Sequence, residues 1–304
     1  MRKGPYVKRQ AVDAIEPCRA SGARANATLG HPTRMPELPE VEFARKALHR
    51  AIHGATVDAV KVQDARVVRP SSRALHAAKG HRVVRVERRG KWLRALLDDG
   101  SMLLSHLGMT GKWLARPATS PEERFERVRL DVTKRGQKSS VRYVDPRMSG
   151  RVVFAREEPR AWSALGPDPL VDGIDVAAFA TALHARKRAI KEVLMDQTLL
   201  AGVGNIVATE ALWRAKVDPR SRSQALDRAQ VRAIARGIDG VIRDAIARYG
   251  ARTITYVEEA GAPNPYPIYG KKGSPCPRCK TTLTKIVLAG RGTTFCPGCQ
   301  VRYP

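Results

Sequence analysis

Met35-Pro36-Glu37-Leu38-Pro39-Glu40-Val41-Glu42 reads like the start of a protein, yet it follows a tract of 34 residues. Beyond Pro39, Val41, Ala44, Leu48 and Ile52 recur at spacings of three and four until Gly54, which predicts an amphipathic helix. Pro36 poses a chemical question as well. Inside a chain its nitrogen is a tertiary amide, with the lone pair delocalised into the carbonyl, and it cannot attack carbon. At a chain start it is a secondary amine, and an α-amine titrates well below a lysine, so part of it is unprotonated near neutral pH. Glu37 would then set a carboxylate beside an amine nucleophile, able to shuttle protons at a sugar oxygen or leaving group. The plainer reading of Glu37 is an acidic first-turn residue favoured by the helix dipole.

The tract before it, residues 1–34, holds seven Lys/Arg against Asp13 and Glu16, with little apolar periodicity. We expect it to be disordered, and to be either a mis-set translation start or a removed leader. It lacks the 7 to 15 residue apolar core of a secretory signal. On this expectation the mature protein begins at Pro36.

Across all 304 residues, 55 Lys and Arg face 29 Asp and Glu, a net charge of +26. Such an excess calls for a polyanion, although a GC-rich genome also enriches arginine. No apolar run approaches the roughly 18 to 20 residues of a membrane span, so nucleic acid leads and a membrane surface trails.

From residue 57 to about 154 the chain reads as short β-prone runs: 57–62, 82–87, 91–97, 102–107, 141–144 and 151–154. Asp98-Asp99-Gly100 marks a hairpin, and Asp145-Pro146-Arg147-Met148-Ser149-Gly150 a turn. From about Trp162 the periodicity becomes helical, over 176–183, 189–194, 206–215 and 229–249. Residues 260–275 read as a loop rich in Gly, Pro and Asn. The expected division is 35–161, 162–262 and 263–304.

Cys276-Pro-Arg-Cys279 and Cys296-Pro-Gly-Cys299, 16 residues apart, have the spacing of a four-thiolate zinc site. Four thiolates leave no open coordination position, so one Zn2+ here is structural and folds a segment too small to fold alone. The intervening 281–287 and 293–295 read as two strands, with Arg291 at the tip between them, where a guanidinium can grip a phosphate with paired donors. A solvated turn arginine is the alternative. The fifth cysteine, Cys18, lies in the leading tract, which suits a reducing compartment better than a disulfide framework. Gly202-Val203-Gly204-Asn205 falls between two helices, where Asn205 and backbone N–H groups at a helix start can meet an anion. A plain turn with an Asn cap explains the same residues.

Taken in order, the start PELPEVE, His106-Leu-Gly-Met109-Thr-Gly, Asp145-Pro-Arg147, Leu194-Met-Asp-Gln, Gly-Val-Gly-Asn205-Ile and GRGTTFCPGCQ resemble the bacterial formamidopyrimidine-DNA glycosylase (MutM) family over residues 35–304. The related endonuclease VIII group typically begins Pro-Glu-Gly-Pro, and Leu38 favours the first branch. The resemblance implies an α+β fold: an N-terminal β-sandwich with flanking helices, a helix–two-turn–helix domain and a C-terminal zinc-finger hairpin, with DNA in the cleft between them. It implies a monomeric, cytoplasmic enzyme acting on double-stranded DNA that contains oxidised bases or abasic sites. The activity would be a DNA glycosylase for 8-oxoguanine and formamidopyrimidines, joined to an abasic-site lyase.

By the same resemblance Pro36 attacks C1′ of a flipped nucleotide and Glu37 serves as general acid and base. Lys91 contacts DNA near the reacting sugar, Asn205 and Arg291 hold the flanking phosphates, and His106 and Lys191 are further DNA contacts. Met109 and Arg147 fill the gap left by the extruded base, Arg147 facing the orphaned partner. Two departures stand out. Typical members read Asp-Pro-Arg-Arg-Phe-Gly and wedge the phenylalanine into the stack, where this chain has Met148-Ser149, which implies altered lesion search or opposite-base selectivity. The stretch 252–269 is shorter than the loop that closes over oxidised guanine in many relatives. Two rivals follow: a glycosylase for oxidised pyrimidines, or a non-catalytic zinc-containing DNA-binding protein if Pro36 is never freed.

Overall fold

The structure, a computed structural model, describes residues 35–249 and 263–304. The expectations for residues 1–34 and for most of the loop over 252–269 lie outside the described residues.

The predicted first helix, α1 (Leu38–Ile52), presents Val41, Ala44, Leu48 and Ile52 to the core. Two sheets close over it. One has the order β1-β7-β8-β6, with β1 Thr56–Val62, β6 Lys112–Pro117, β7 Glu126–Lys134 and β8 Gln137–Val144, antiparallel throughout. The other has the order β2-β9-β5-β4-β3, with β2 Val68–Arg69, β3 Val83–Arg89, β4 Trp92–Leu97, β5 Met102–His106 and β9 Arg151–Ala155, and only β2 runs parallel to its neighbour. Val128, Leu130 and Tyr143 from the first sheet and Leu93, Leu97 and Val152 from the second bury into one shared core. Trp113 of β6 donates across to Ser105 Oγ of β5 at 2.9 Å.

Sequence periodicity does not reveal β6 or β7. In β7 every second residue is polar or charged (Arg127, Arg129, Asp131, Thr133) while Val128, Leu130 and Val132 face the core, and Arg129 pairs with Asp131 on the outer face. Two short helices, α2 (Ser72–His76) and α3 (Arg160–Ser163), also go unannounced. α3 carries Trp162, which covers Met102, Leu104 and Val153 on the outer face of the second sheet.

The second half is helical as expected: α4 (Val176–His184), α5 (Ile190–Leu194), α6 (Asn205–Arg214) and α7 (Arg228–Arg248). Asp227 caps α7 with a reciprocal bond to Gln230, and Val231, Ile234, Ile238, Val241 and Ala245 are buried along one stripe. Leu38, the first residue of α1, is fully buried in this helical core rather than in the sandwich. The amino-terminal segment therefore belongs to both halves. A buried ionic cluster reinforces the joint: Arg88 pairs with Glu42 at 3.1 Å and with both oxygens of Asp168, which also accepts the Gly90 N–H at 2.8 Å.

At the carboxyl end β10 (Thr284–Leu288) and β11 (Arg291–Phe295) form an antiparallel hairpin. It is fastened to the helices where Val301 pairs with Lys216 and Asp218, and Gln300 donates to the Val217 carbonyl. Among the described residues no helix is long and apolar enough to cross a membrane.

Candidate active site and nucleic-acid interface

Pro36 and Glu37 are buried where three segments meet. Glu37 precedes α1, its N–H donating to Glu40 Oε2 at 3.0 Å. Its carboxylate turns away to α6, where Oε1 accepts the Ile206 N–H at 2.8 Å and Oε2 the Val207 N–H at 3.0 Å. A helix start leaves such donors unpaired, and negative charge is favoured there. So the acidic residue does complement a helix dipole, but that of a helix in the other half of the molecule.

Close approach makes this seating possible. A Cβ on Gly204 would lie 2.4 Å from Glu37 Cδ, and one on Gly202, whose φ is +90°, would lie 2.7 Å from Leu38 Cβ. The Leu38 N–H also donates to the Gly202 carbonyl at 3.1 Å. Gln197 braces this loop, accepting from Gly202 N–H and donating to Met195 and Val203 carbonyls. Gly90 packs against the same loop, which brings Lys91, in the β3–β4 turn, beside it.

Asn205 is not the helix cap. Gly204 holds that position and Asn205 is the first helical residue, so the free donors of Ile206 and Val207 go to Glu37 and not to an external anion. Asn205 instead accepts from Lys191 Nζ at 2.6 Å and donates to the Gly292 carbonyl at 3.2 Å. Lys191 is fully buried and also donates to Thr293 Oγ1. Burial, which lowers the pKa of its ammonium, outweighs the pull of Glu37 back up, and with a smaller push from the nearby Arg291 the group is left at about 7.

Arg291 lies one step off the predicted tip. It opens β11 opposite Leu288, and the two-residue turn is Ala289-Gly290, with φ of +46° and +70°. Both angles are those of a primed hairpin turn, which matches the strand twist. The guanidinium is exposed, on the same hairpin as Gly292 and Thr293.

The sulfurs of Cys276, Cys279, Cys296 and Cys299 all lie within 4.8 Å of one another, with Cys276–Cys299 at 3.9 Å and Cys279–Cys296 at 3.3 Å. Zinc–sulfur bonds of about 2.3 Å in a tetrahedron need sulfurs roughly 3.8 Å apart, so the set fits one structural Zn2+. Cys276 and Cys296 are buried with Leu283 and Ile268, against Trp213 of α6.

The remaining predicted residues form a second group next to the first. His106 ends β5 with its ring 5.1 Å from that of Trp92, the neighbour of Lys91. Its Nδ1 accepts the Gly108 N–H at 3.0 Å, and burial, then Lys91 and Arg151, push it down to about 4, so a neutral ring presents Nε2–H. The Met109 N–H donates to Ser149 Oγ at 2.7 Å, while the Arg147 N–H donates to Thr110 Oγ1 at 3.2 Å. Thr110 in turn donates to Asp145. The two turns are thereby locked together with the Met109 and Arg147 side chains partly or fully open to solvent.

Sequence reasoning did not single out Thr293, Gln197, Gly90 or the Arg88–Asp168 pair. Only Gln197 and Thr293 sit inside the quoted motifs; Arg88 and Asp168 are 80 residues apart and carry no local signal.

Residues 35–152 match the model of the formamidopyrimidine-DNA glycosylase N-terminal domain, 165–257 that of the formamidopyrimidine-DNA glycosylase H2TH domain, and 273–301 that of the zinc finger found in FPG and IleRS. Formamidopyrimidine-DNA glycosylase of Thermomicrobium roseum is 36% identical over 288 residues, covering 88% of this chain and 99% of the relative. That of Geobacillus kaustophilus is 37% identical over 277 residues, covering 88% and 100%. Among solved structures, Lactococcus lactis Fpg with DNA containing an abasic site superposes with a TM-score of 0.77 at 30% identity, covering 88% of this chain and all of that one. A MutM complex with DNA containing carbocyclic 8-oxo-G gives 0.78, with the same identity and coverage. With all three domains matched in order and relatives covered from end to end, the chain belongs to the formamidopyrimidine-DNA glycosylase family.

Proposed function

We propose that the chain is a base-excision-repair enzyme that removes oxidised purines from duplex DNA and then nicks the strand at the abasic site, with Pro36 as nucleophile. The observation that carries this reading is the seating of Pro36 and Glu37 against α6, which fixes a would-be amine nucleophile and its carboxylate between the Lys91 turn, Lys191 and the Asn205 loop. Once Pro36 is an amino terminus, its nitrogen bonds to C1′ as the glycosidic bond breaks, and the departing base keeps the electron pair and takes a proton. The proline nitrogen gives up its proton, and the C1′–O4′ bond then breaks as a proton is delivered to O4′. This leaves an iminium of the opened sugar that is permanently charged because the amine is secondary and that accepts the electrons released in β- and δ-elimination. Glu37 moves the protons; each oxygen spends one lone pair on a helix N–H and keeps another.

Lys91, Asn205 and Arg291 bind the strand around the reacting sugar, and His106 and Lys191 support them. Met109 and Arg147 occupy the space of the extruded base. The zinc site holds the hairpin that carries Arg291 and reaches back to Lys191 and Asn205. The same reading divides the chain at 35–161, 162–262 and 263–304, treats 1–34 as absent from the working enzyme, and places a monomer in the bacterial cytoplasm at the nucleoid.

Borohydride trapping on duplexes carrying an abasic site or 8-oxoguanine tests it. Protein beginning at Pro36 gives a covalent complex that Pro36→Gly, which leaves a primary amine, weakens and that acetylation of the amino terminus abolishes, while protein retaining residues 1–34 binds without being trapped. No complex from the Pro36 form overturns the proposal. Faster excision of thymine glycol than of 8-oxoguanine would move the specificity to oxidised pyrimidines.

A further inference from the structure

Among the described residues Phe125 is the one exposed large aromatic, at 39% relative exposure. It stands in the turn before β7 with φ of +64°, a left-handed conformation that is rare for a bulky residue and tends to persist where surrounding structure enforces it. The enforcement is visible. The Phe125 carbonyl accepts the N–H of Asp145 at 3.1 Å, and Arg127 Nε donates to the Asp145 carbonyl at 3.0 Å. Asp145 also receives Thr110 Oγ–H and the N–H groups of Arg147 and Gly150. Phe125 is thus fastened to the first residue of the turn that bears Arg147.

The ring is also flanked by cations, with the Arg124 guanidinium 4.7 Å and that of Arg127 5.8 Å from its centroid. Arg127 is spoken for by Asp64 at 3.2 Å, whereas Arg124 is exposed. An aromatic face beside an open arginine is the composition that stacks on a nucleobase while meeting its phosphate.

Ser149, in contrast, has its hydroxyl committed to the Met109 N–H and has no ring to stack. The geometry points to Phe125 as the residue that stacks on the strand opposite the extruded nucleotide, next to the orphaned base faced by Arg147, with Arg124 on the adjoining phosphate. Apolar side chains inserted at an opened step offset part of the cost of unstacking, so a wedge here makes extrusion easier. The inference rests on the glycosylase reading above and adds a specificity-determining contact to it.

Phe125→Asn is the informative variant, because asparagine accepts a left-handed φ and removes only the ring. Bound to the zinc-loaded full chain, a duplex with 2-aminopurine beside the orphaned base reports stacking without any need for excision. Phe125 should quench it and Phe125→Asn should not, while Phe125→Trp behaves like the unsubstituted protein. In the form with a free Pro36, Phe125→Asn should slow excision of 8-oxoguanine roughly tenfold, within the usual range for a base–aromatic contact. Trapping on a preformed abasic site should stay within about twofold, and Ser149→Phe added to Phe125→Asn should restore excision. Unchanged 2-aminopurine signal and excision in Phe125→Asn overturn the inference while leaving the glycosylase reading intact. Absence of trapping by the unsubstituted protein overturns that reading, and the 2-aminopurine signal still decides whether Phe125 touches DNA.

Discussion

Glu37 and Ile206 are 169 residues apart in the chain and joined by a 2.8 Å hydrogen bond from the Ile206 N–H to Glu37 Oε1. The bond makes one side chain both the acceptor for the free N–H groups that open α6 and the neighbour of Pro36, so under the proposed function stability and chemistry are coupled there. Glu37→Gln keeps one acceptor and loses the charge. It should lower stability by about 0.5–2 kcal/mol, the usual worth of a helix cap, in a denaturant titration. Single-turnover base release should fall by about 10²–10⁴, the usual contribution of a positioned acid or base, with DNA affinity nearly unchanged. Equal losses in binding and in base release would instead mean that Glu37 acts only by holding the two halves together.

Gly204→Ala should reproduce much of that defect without touching a titratable group. The new methyl would sit 2.4 Å from Glu37 Cδ, well inside contact distance, so the carboxylate must leave the Ile206 and Val207 N–H groups or the loop must shift. Overpacking of this kind typically costs about 1–3 kcal/mol. Paired with Glu37→Gln, the double variant should lose less than the sum of the two, because both act on one contact. Additive losses in thermal unfolding and base release would show that the two residues act separately.

Lys191 gives a signed pH dependence. Burial, first, and Arg291 lower its folded-state pKa from 10.5 to about 7. Between those values the unfolded chain holds a proton that the folded chain has released, so this residue makes stability rise with pH across that window and fall as pH drops toward 7. Lys191→Met should flatten that part of the profile relative to the parent protein, measured by urea unfolding at several pH values. A phosphate beside Lys191 favours the charged form, so DNA binding near pH 8 should take up a proton. Calorimetry in two buffers of different ionisation enthalpy reads it, and Lys191→Met should abolish it.

The helices and the zinc site were legible because their signals are local: apolar residues at spacings of three and four in α1 and α7, and paired cysteines in the finger. β7 was not, since Arg129 and Asp131 alternate with its core residues and hide a strand under charge. The site was legible as a set of motifs but not as a set of contacts. Asn205 looked like a cap because asparagine often is one, and nothing near it in sequence shows that Glu37 already takes the donors it would leave open. Arg88 with Asp168, and Lys191 with Thr293, belong to the same class: buried polar groups must find partners, but only the tertiary fold says which.

Zinc removal should disturb the site from a distance. The metal holds a segment with a small core of Ile268, Leu283 and two cysteines, which is too little to fold by itself. Once the hairpin loosens, Arg291 is lost and so are the Thr293 hydroxyl that accepts from Lys191 and the Gly292 carbonyl that accepts from Asn205. None of these residues enters the sandwich core, which is lined by α1 and both sheets. Chelation under reducing conditions should therefore release one zinc per chain and abolish DNA binding and strand nicking, while the far-ultraviolet signal of the sandwich largely persists. Trp213, packed against the cluster of Ile268, Leu283, Cys276 and Cys296 and stacked 4.5 Å under the Arg278 guanidinium, should change its fluorescence as the metal leaves. Cys296→Ser should behave like the chelated protein and resist rescue by added zinc. Full nicking activity in metal-free protein would show that the hairpin keeps Lys191 and Asn205 in place without the metal.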